Sequence, residues 1–404
     1  MKKNLIIIII VSLAVGFWGG IEFQRQKTEI PLTINDVYNK EALKPASIDF
    51  SLFWEAWNKI GEKYVDKNKL DPQKMIFGAI EGMVSSLGDP YTVFLPPQEA
   101  KKFQEDIRGS FSGVGIEIGI RNEILTVIAP LKDTPAEKAG IQAGDKILKI
   151  DEESTAGIKI DEAVSKIRGP RGTKVTLNIS RAGFDQPKDF TITRDIIKVK
   201  AVTLEKLDPL KTSGQRIAHL QLHAFNQNAA SEFEKAVKEI QKEEIDRIIL
   251  DLRNNPGGLL DLAVEISSWF MESNQVVVSE VFADGHKDEL RSKDIGDLKN
   301  HKLVVLINNG SASASEIVAG ALHDNKGIKL IGEKTFGKGS VQQIEELKNK
   351  SSLKITIAKW LTPSGRSITD LGIEPDIEIK LTDEDKDAGR DPQLEKAIEV
   401  VKSL

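Results

Sequence analysis

Cysteine is absent from this chain of 404 residues. That absence excludes disulfides, a thiol nucleophile and cysteine-ligated zinc. It leaves the compartment open, because only the presence of disulfides would mark an oxidising one. No long basic run occurs, and acidic residues outnumber basic ones by 61 to 56 for a formal net charge of -5, which weighs against nucleic acid as a partner. Histidine is scarce. His219, His223, His286, His301 and His323 are the five, and none sits in a His-Glu-x-x-His run of the kind that holds catalytic zinc. No serine sits in a Gly-x-Ser-x-Gly elbow either, so a Ser-His-Asp set built on Asp251 lacks its supporting motif. Neither a metal nor a cofactor is implied.

What is present is an ordinary globular composition, 40% hydrophobic and 29% charged, over a length that predicts two or three domains. Met1 to Asn4 is basic, and Leu5 to Ile21 is an apolar run of about 17 residues, near the lower limit for a membrane-spanning helix. It reads as an export signal. Without a small-x-small cleavage site it is expected to stay as an anchor spanning 1–21. The basic end then remains in the cytoplasm, and the rest lies outside the plasma (inner) membrane, in the periplasm or at the cell surface. Residues 22–47 read as a linker. In 48–108 helical periodicity takes over: Phe53, Trp57, Ile60 and Tyr64 share one face, and these aromatics are expected to be core.

Short strands and glycines fill 109–197. Gly113-Val114-Gly115-Ile116 leads into a strand, Gly140-Ile141-Gln142-Ala143-Gly144-Asp145 forms a turn, and a helix from Ile160 to Ile167 precedes Arg168-Gly169-Pro170-Arg171-Gly172. This order resembles a PDZ domain. The resemblance implies that the Gly113–Ile116 loop receives the carboxylate of a peptide C-terminus while the peptide adds as a strand to a sheet edge. Arg168 either senses that peptide or caps the preceding helix. From 198 to 404 strand and helix alternate in the βαβ grammar of an α/β core. There ligands sit at the carboxyl ends of strands, and the Pro256-Gly257-Gly258 turn is one such place.

Another is Asn308-Asn309-Gly310-Ser311-Ala312-Ser313-Ala314-Ser315-Glu316, lying between the apolar run Leu303–Ile307 and a helical stretch. Backbone N–H groups at such a turn lack helical partners and face incoming negative charge. A serine there has either acyl-transfer surroundings or the plain role of a helix cap. A serine also needs a base. Lysine serves only where burial brings it down from about 10.4, and Lys338, flanked by Gly337 and Gly339 and followed by Gln342, is the candidate.

These motifs, together with Leu250-Asp251-Leu252-Arg253-Asn254-Asn255-Pro256-Gly257-Gly258, Trp360-Leu361-Thr362-Pro363-Ser364-Gly365 and Gly372-Ile373-Glu374-Pro375-Asp376, resemble the carboxy-terminal processing (tail-specific) serine peptidases, subfamily A of peptidase family S41. The resemblance runs from about residue 48 to the end. It implies a crotonase/ClpP-like βαβ protease core carrying an inserted PDZ domain, behind an N-terminal helical segment and a transmembrane anchor. It also implies Ser313 as nucleophile, Lys338 as general base and Gln342 as the residue orienting that lysine. The oxyanion donors would be the amide of Ala314 and that of Gly257 or Gly258. Its substrates would be exported proteins with free C-termini, cleaved through an acyl-enzyme, and a homo-oligomer is compatible with it. No added C-terminal dimerisation domain is expected after the core. Two other readings, a membrane-tethered PDZ scaffold with a dead core and an enoyl-hydratase-like enzyme, leave the serine–lysine pair without a purpose.

Overall fold

The computed structural model describes residues 48–207, 214–369 and 371–404. The apolar run at 5–21 and the linker at 22–47 lie outside them. Among the described residues no helix is long and apolar enough to cross a membrane. The chain divides into two compact units, with the boundary between Asp89 and Pro90.

In the first unit helix α1 spans Ser51–Lys63 and α2 spans Pro72–Ser85. Asp71 starts α2 by accepting from the amides of Gln73 and Lys74, at 2.9 and 3.1 Å, with Pro72 at the first helical position. The aromatic face expected on α1 is only partly buried. Trp57 is inside, whereas Ile60 and Tyr64 are exposed; Tyr64 is off the helical face because the helix stops at Lys63 and Tyr64 is already extended.

The second unit opens with strand β1 (Val93–Leu95) and helix α3 (Pro97–Arg108). Gly109 ends α3 in the left-handed conformation, and a side chain there would collide with Asn226. A small sheet follows, built from β2 (Ser110–Gly113), β3 (Ile116–Arg121), β4 (Ile124–Pro130), helix α4 (Pro135–Lys138), β5 (Lys146–Ile150), β6 (Glu153–Ser154), helix α5 (Ile160–Ile167), β7 (Lys174–Ser180), β8 (Lys188–Thr193) and β9 (Asp195–Lys198). The main path is β3-β4-β5-β7-β8, and β2 pairs with β9 so that this segment starts and ends side by side. On β7, Val175, Leu177 and Ile179 are fully buried, the period-two pattern of a strand with one face in a core.

The larger α/β part continues with β10 (Val202–Lys206), β11 (Ile217–Leu222), α6 (Ala229–Lys242), β12 (Arg247–Asp251), α7 (Leu260–Ser268), β13 (Val276–Phe282), β14 (Lys287–Arg291), β15 (Lys302–Ile307), α8 (Ala314–Lys326), β16 (Lys329–Gly332), β17 (Ser340–Glu346), β18 (Ser352–Leu361), β19 (Ile377–Glu378), α9 (Asp383–Asp387) and α10 (Pro392–Ser403). Its central sheet runs β10-β11-β12-β15-β16-β19, parallel from β11 onward. Leu303, Val305 and Ile307 of β15 join a core with α6, α7 and α8. Val304 and Leu306 point the other way, to Ala397 and Val401 of α10. Cover on both faces is why β15 reads as an unbroken apolar run rather than an alternation. A second sheet of the same part, β1-β18-β13-β14 with β17 on β18, places β17 directly after the Lys338 loop.

Candidate active site

Two turns meet at the carboxyl ends of β12 and β15. Asn254 and Asn308 brace them reciprocally, the Asn254 amide on Asn308 Oδ1 at 2.8 Å and Asn308 Nδ2 on Asn254 Oδ1 at 2.9 Å. Ser311 and Ser315 are fully buried. Their hydroxyls donate to the carbonyls of Leu252 (2.8 Å) and Asn255 (2.9 Å), so both serines stitch the turns together. Ser313 differs from its neighbours. It is half-buried and holds φ 55°, ψ -115° just ahead of α8, a conformation that costs a non-glycine residue roughly 1–3 kcal/mol and persists where the surroundings enforce it.

The two glycines of the Pro-Gly-Gly turn have separate jobs. Gly257, at φ 95°, lies against the serine turn: a Cβ there would sit 2.6 Å from the Ala312 carbonyl oxygen, 2.8 Å from Ser313 Cβ and 2.9 Å from the Ala314 nitrogen. Its own amide already donates to Asn255 Oδ1 at 2.9 Å. Gly258, at φ 144°, backs onto Phe225, whose carbonyl oxygen would be 2.4 Å from an added Cβ. Among the described residues no acceptor takes the amide of Gly258 or that of Ala314.

The Lys338 loop is fastened to the same place by a residue that sequence reasoning passed over. Glu316, in the first turn of α8, is fully buried. Its Oε2 accepts from the Ser313 amide (2.8 Å) and the Lys338 amide (3.0 Å), and its Oε1 from Thr335 Oγ1 (2.6 Å) and the Gly337 amide (2.8 Å). Burial pushes this carboxyl above its ordinary range, against the pull of those donors. The Phe336 amide adds a bond to the Ser311 carbonyl at 3.0 Å. The flanking glycines have local causes: Gly337 sits at φ 94°, and a Cβ on Gly339 would lie 2.4 Å from the Thr369 nitrogen. Half-buried Lys338 places its ammonium 5.3 Å from the centre of the Tyr91 ring. Gln342, on β17, turns its amide nitrogen to the carbonyl and hydroxyl of Ser340, at 3.0 and 2.8 Å.

Histidines serve elsewhere. His219 is buried and pairs with Asp251 at 2.9 Å. Both lie on the face of the sheet that carries Ile217 and Ile249 and is covered by α10, opposite the face covered by α8. Burial alone would push the Asp251 carboxyl up, but hydrogen bonds from His219 and Arg253 bring it down to about 2.

In the small sheet, Gly113, Val114, Gly115, Ile116 and Arg168 line one cavity of about 70 Å³ together with apolar side chains of α5. Gly115 takes φ 80° and abuts Thr134, which would lie 2.4 Å from an added Cβ. The Arg168 side chain leaves the helix end, stacks 4.1 Å from the Phe111 ring centre and reaches Glu105 of α3 at 3.2 Å.

The sequence profile of peptidase family S41 matches residues 216–379, a PDZ domain profile matches 126–181, and the profile of the activating protease CtpB N-terminal domain matches 9–98. A carboxy-terminal-processing protease of Bartonella bacilliformis is 42% identical over 350 residues, covering 85% of this chain and 77% of that protein. The carboxy-terminal processing protease CtpA of Bacillus subtilis is 36% identical over 353 residues, 86% of this chain and 73% of its own. A crystal structure from Bacteroides fragilis assigned to the S41 proteases aligns with 86% of this chain and 96% of its own at a TM-score of 0.56. Its 17% identity makes it a likeness of fold.

Proposed function

Because the chain belongs to the carboxy-terminal processing proteases of peptidase family S41 and is a serine-type peptidase with a PDZ domain, we propose that it cleaves exported proteins through a Ser313–Lys338 dyad. The observation that carries this reading is the shared Glu316 carboxylate, which holds the Ser313 and Lys338 amides on one oxygen atom. A neutral Lys338 amine takes the proton of the Ser313 hydroxyl, and the freed oxygen attacks the peptide carbonyl. Lys338 then gives that proton to the departing amine, leaving an acyl-enzyme on Ser313 that water hydrolyses with the same lysine as base. Gln342 orients the lysine from β17. The oxyanion needs donors that are not already spent. The Ala314 and Gly258 amides meet that condition, whereas the Gly257 amide is held by Asn255. Gly257 contributes instead by letting the turn lie against Ser313.

The Gly113–Ile116 loop, with Arg168 at its side, takes the substrate's free C-terminus. The apolar run at 5–21 anchors the enzyme, with its catalytic part outside the cytoplasm. The parallel strands β11, β12 and β15, each handing over to a turn and a helix, support the crotonase/ClpP-like description of the core. Ser313→Ala and Lys338→Ala are each expected to lower cleavage of an unfolded, C-terminally tailed substrate by about a thousandfold or more with the circular dichroism spectrum unchanged. Substantial proteolysis by pure Ser313→Ala protein would sink the assignment. Binding of the tail without cleavage by the native protein would favour a scaffold.

A further inference from the structure

Helix α10 begins beneath both catalytic loops. Arg253 directly precedes the Asn254-Asn255-Pro256-Gly257-Gly258 turn, and its guanidinium has all five N–H donors engaged. Nε and Nη2 donate to Asp251 at 3.0 and 2.7 Å, Nη1 and Nη2 to Asp391 at 2.9 Å each, and Nη1 also to Gln393 Oε1 at 3.0 Å. Asp391 caps α10 through the Leu394 amide (2.9 Å). Gln393, fully buried, donates to the Ile379 carbonyl (2.8 Å) and to Glu333 (3.3 Å), two residues before Thr335 of the lysine loop. His219 closes the cluster on Asp251.

Such a network is a poor device for stability alone, since apolar residues of equal volume often do as well. What it supplies is geometry: a planar group held on five bonds cannot turn without breaking several of them. We propose that Arg253 and Asp391 are positioning residues, and that through them the last helix sets the Gly258 amide in the oxyanion site. The proposal rests on the Ser313–Lys338 reading. It assigns α10 a part in catalysis at a distance of 138 residues in sequence from the arginine it holds.

Asp391→Asn tests it. Asparagine still caps the helix but loses the charge and the second acceptor oxygen facing Arg253. Asp391→Ser, which keeps a capping hydroxyl, is the second variant. The measurements are kcat and KM on a tailed peptide substrate, the inhibition constant of a peptide boronic acid, affinity for a C-terminal peptide that fills only the PDZ groove, and Tm. The boronic acid adds the Ser313 oxygen to boron, and its hydroxyl takes the oxyanion position. In both variants kcat and boronate affinity are expected to fall together by roughly tenfold or more, while KM and PDZ-peptide affinity stay within about twofold. A merely structural role lowers Tm and leaves kcat and boronate affinity of the folded fraction as in the native enzyme, and that result would overturn the proposal. Ser313→Ala run in parallel separates the two failures: if it still cleaves and binds the boronate, the dyad reading fails, whereas retention by the Asp391 variants defeats only the clamp.

Discussion

Glu316 accepts four donors and offers none, so each oxygen is filled by hydrogen bonds that only an acceptor can receive. Glu316→Gln keeps the shape but turns an NH₂ group toward two of those donors, leaving at least one buried amide unpaired, at a cost of about 1–3 kcal/mol in stability. The larger effect falls on the register of Ser313 against Lys338. We expect kcat to drop roughly a hundredfold with KM nearly unchanged, read from initial rates on a tailed peptide. A kcat within threefold of native would reduce Glu316 to a helix cap. That ambiguity explains what was legible here. Ser313 and Lys338 stand out because small residues and glycines surround them. Ser313-x-x-Glu316 has the spacing of a capping box, and sequence does not show that the glutamate also gathers Thr335, Gly337 and Lys338. Nor does it separate Gly257 from Gly258, because their difference lies in what each backs onto, the serine turn or Phe225.

At the scale of elements, the parallel strands and their helices were readable because both faces are covered: β15 carries the unbroken apolar run Leu303–Ile307, and β12 the shorter run Ile248–Leu250. The sheet made by β1, β13, β14, β17 and β18 was not fully readable. β17, Ser-Val-Gln-Gln-Ile-Glu-Glu, is mostly polar and takes its place by pairing along β18. Such pairing is a tertiary choice that propensity does not record. The Arg168–Glu105 contact joins α5 to α3 across 63 residues and was equally hidden. It also carries a prediction. On the proposed role of Arg168 in taking the substrate's free C-terminus, Glu105 would compete with an incoming peptide carboxylate for the guanidinium, and the pair is partly screened by solvent. Glu105→Gln is therefore expected to tighten binding of a free-carboxylate peptide about threefold, measured by fluorescence anisotropy, and to leave a C-terminally amidated peptide unaffected. Equal change for both peptides would remove Arg168 from carboxylate recognition.

For the molecule as a whole, the division at residues 89 and 90 falls inside the stretch that sequence periodicity treats as one helical region, because α3 has the same helical pattern as α1 and α2 yet is bound to residues far along the chain, its end tied to Gln227 and Asn228. Within the second unit the Asp251 cluster joins β11, β12 and α10, so its charge state bears on global stability. The folded carboxyl titrates at about 2 against an ordinary 3.8. A depressed carboxyl contributes stability that is present above the unfolded value and lost as pH falls through the folded one, which here means between about pH 4 and pH 2 and amounts to about 2 kcal/mol. Glu316 has the opposite sign: its raised carboxyl costs stability at neutral pH, and that cost is relieved on acidification, while the protonated form can no longer accept four donors. Acid should therefore take activity away before it takes the fold. Asp251→Asn isolates the stabilising half. It is expected to be less stable than native by about 3–5 kcal/mol near pH 7, since it leaves Arg253 and His219 with a weaker partner, and the gap should narrow by about 2 kcal/mol as pH is lowered from 4 to 2. Urea unfolding of both proteins across that range measures it; a gap independent of pH would mean that Asp251 is not the group whose protonation loosens this unit.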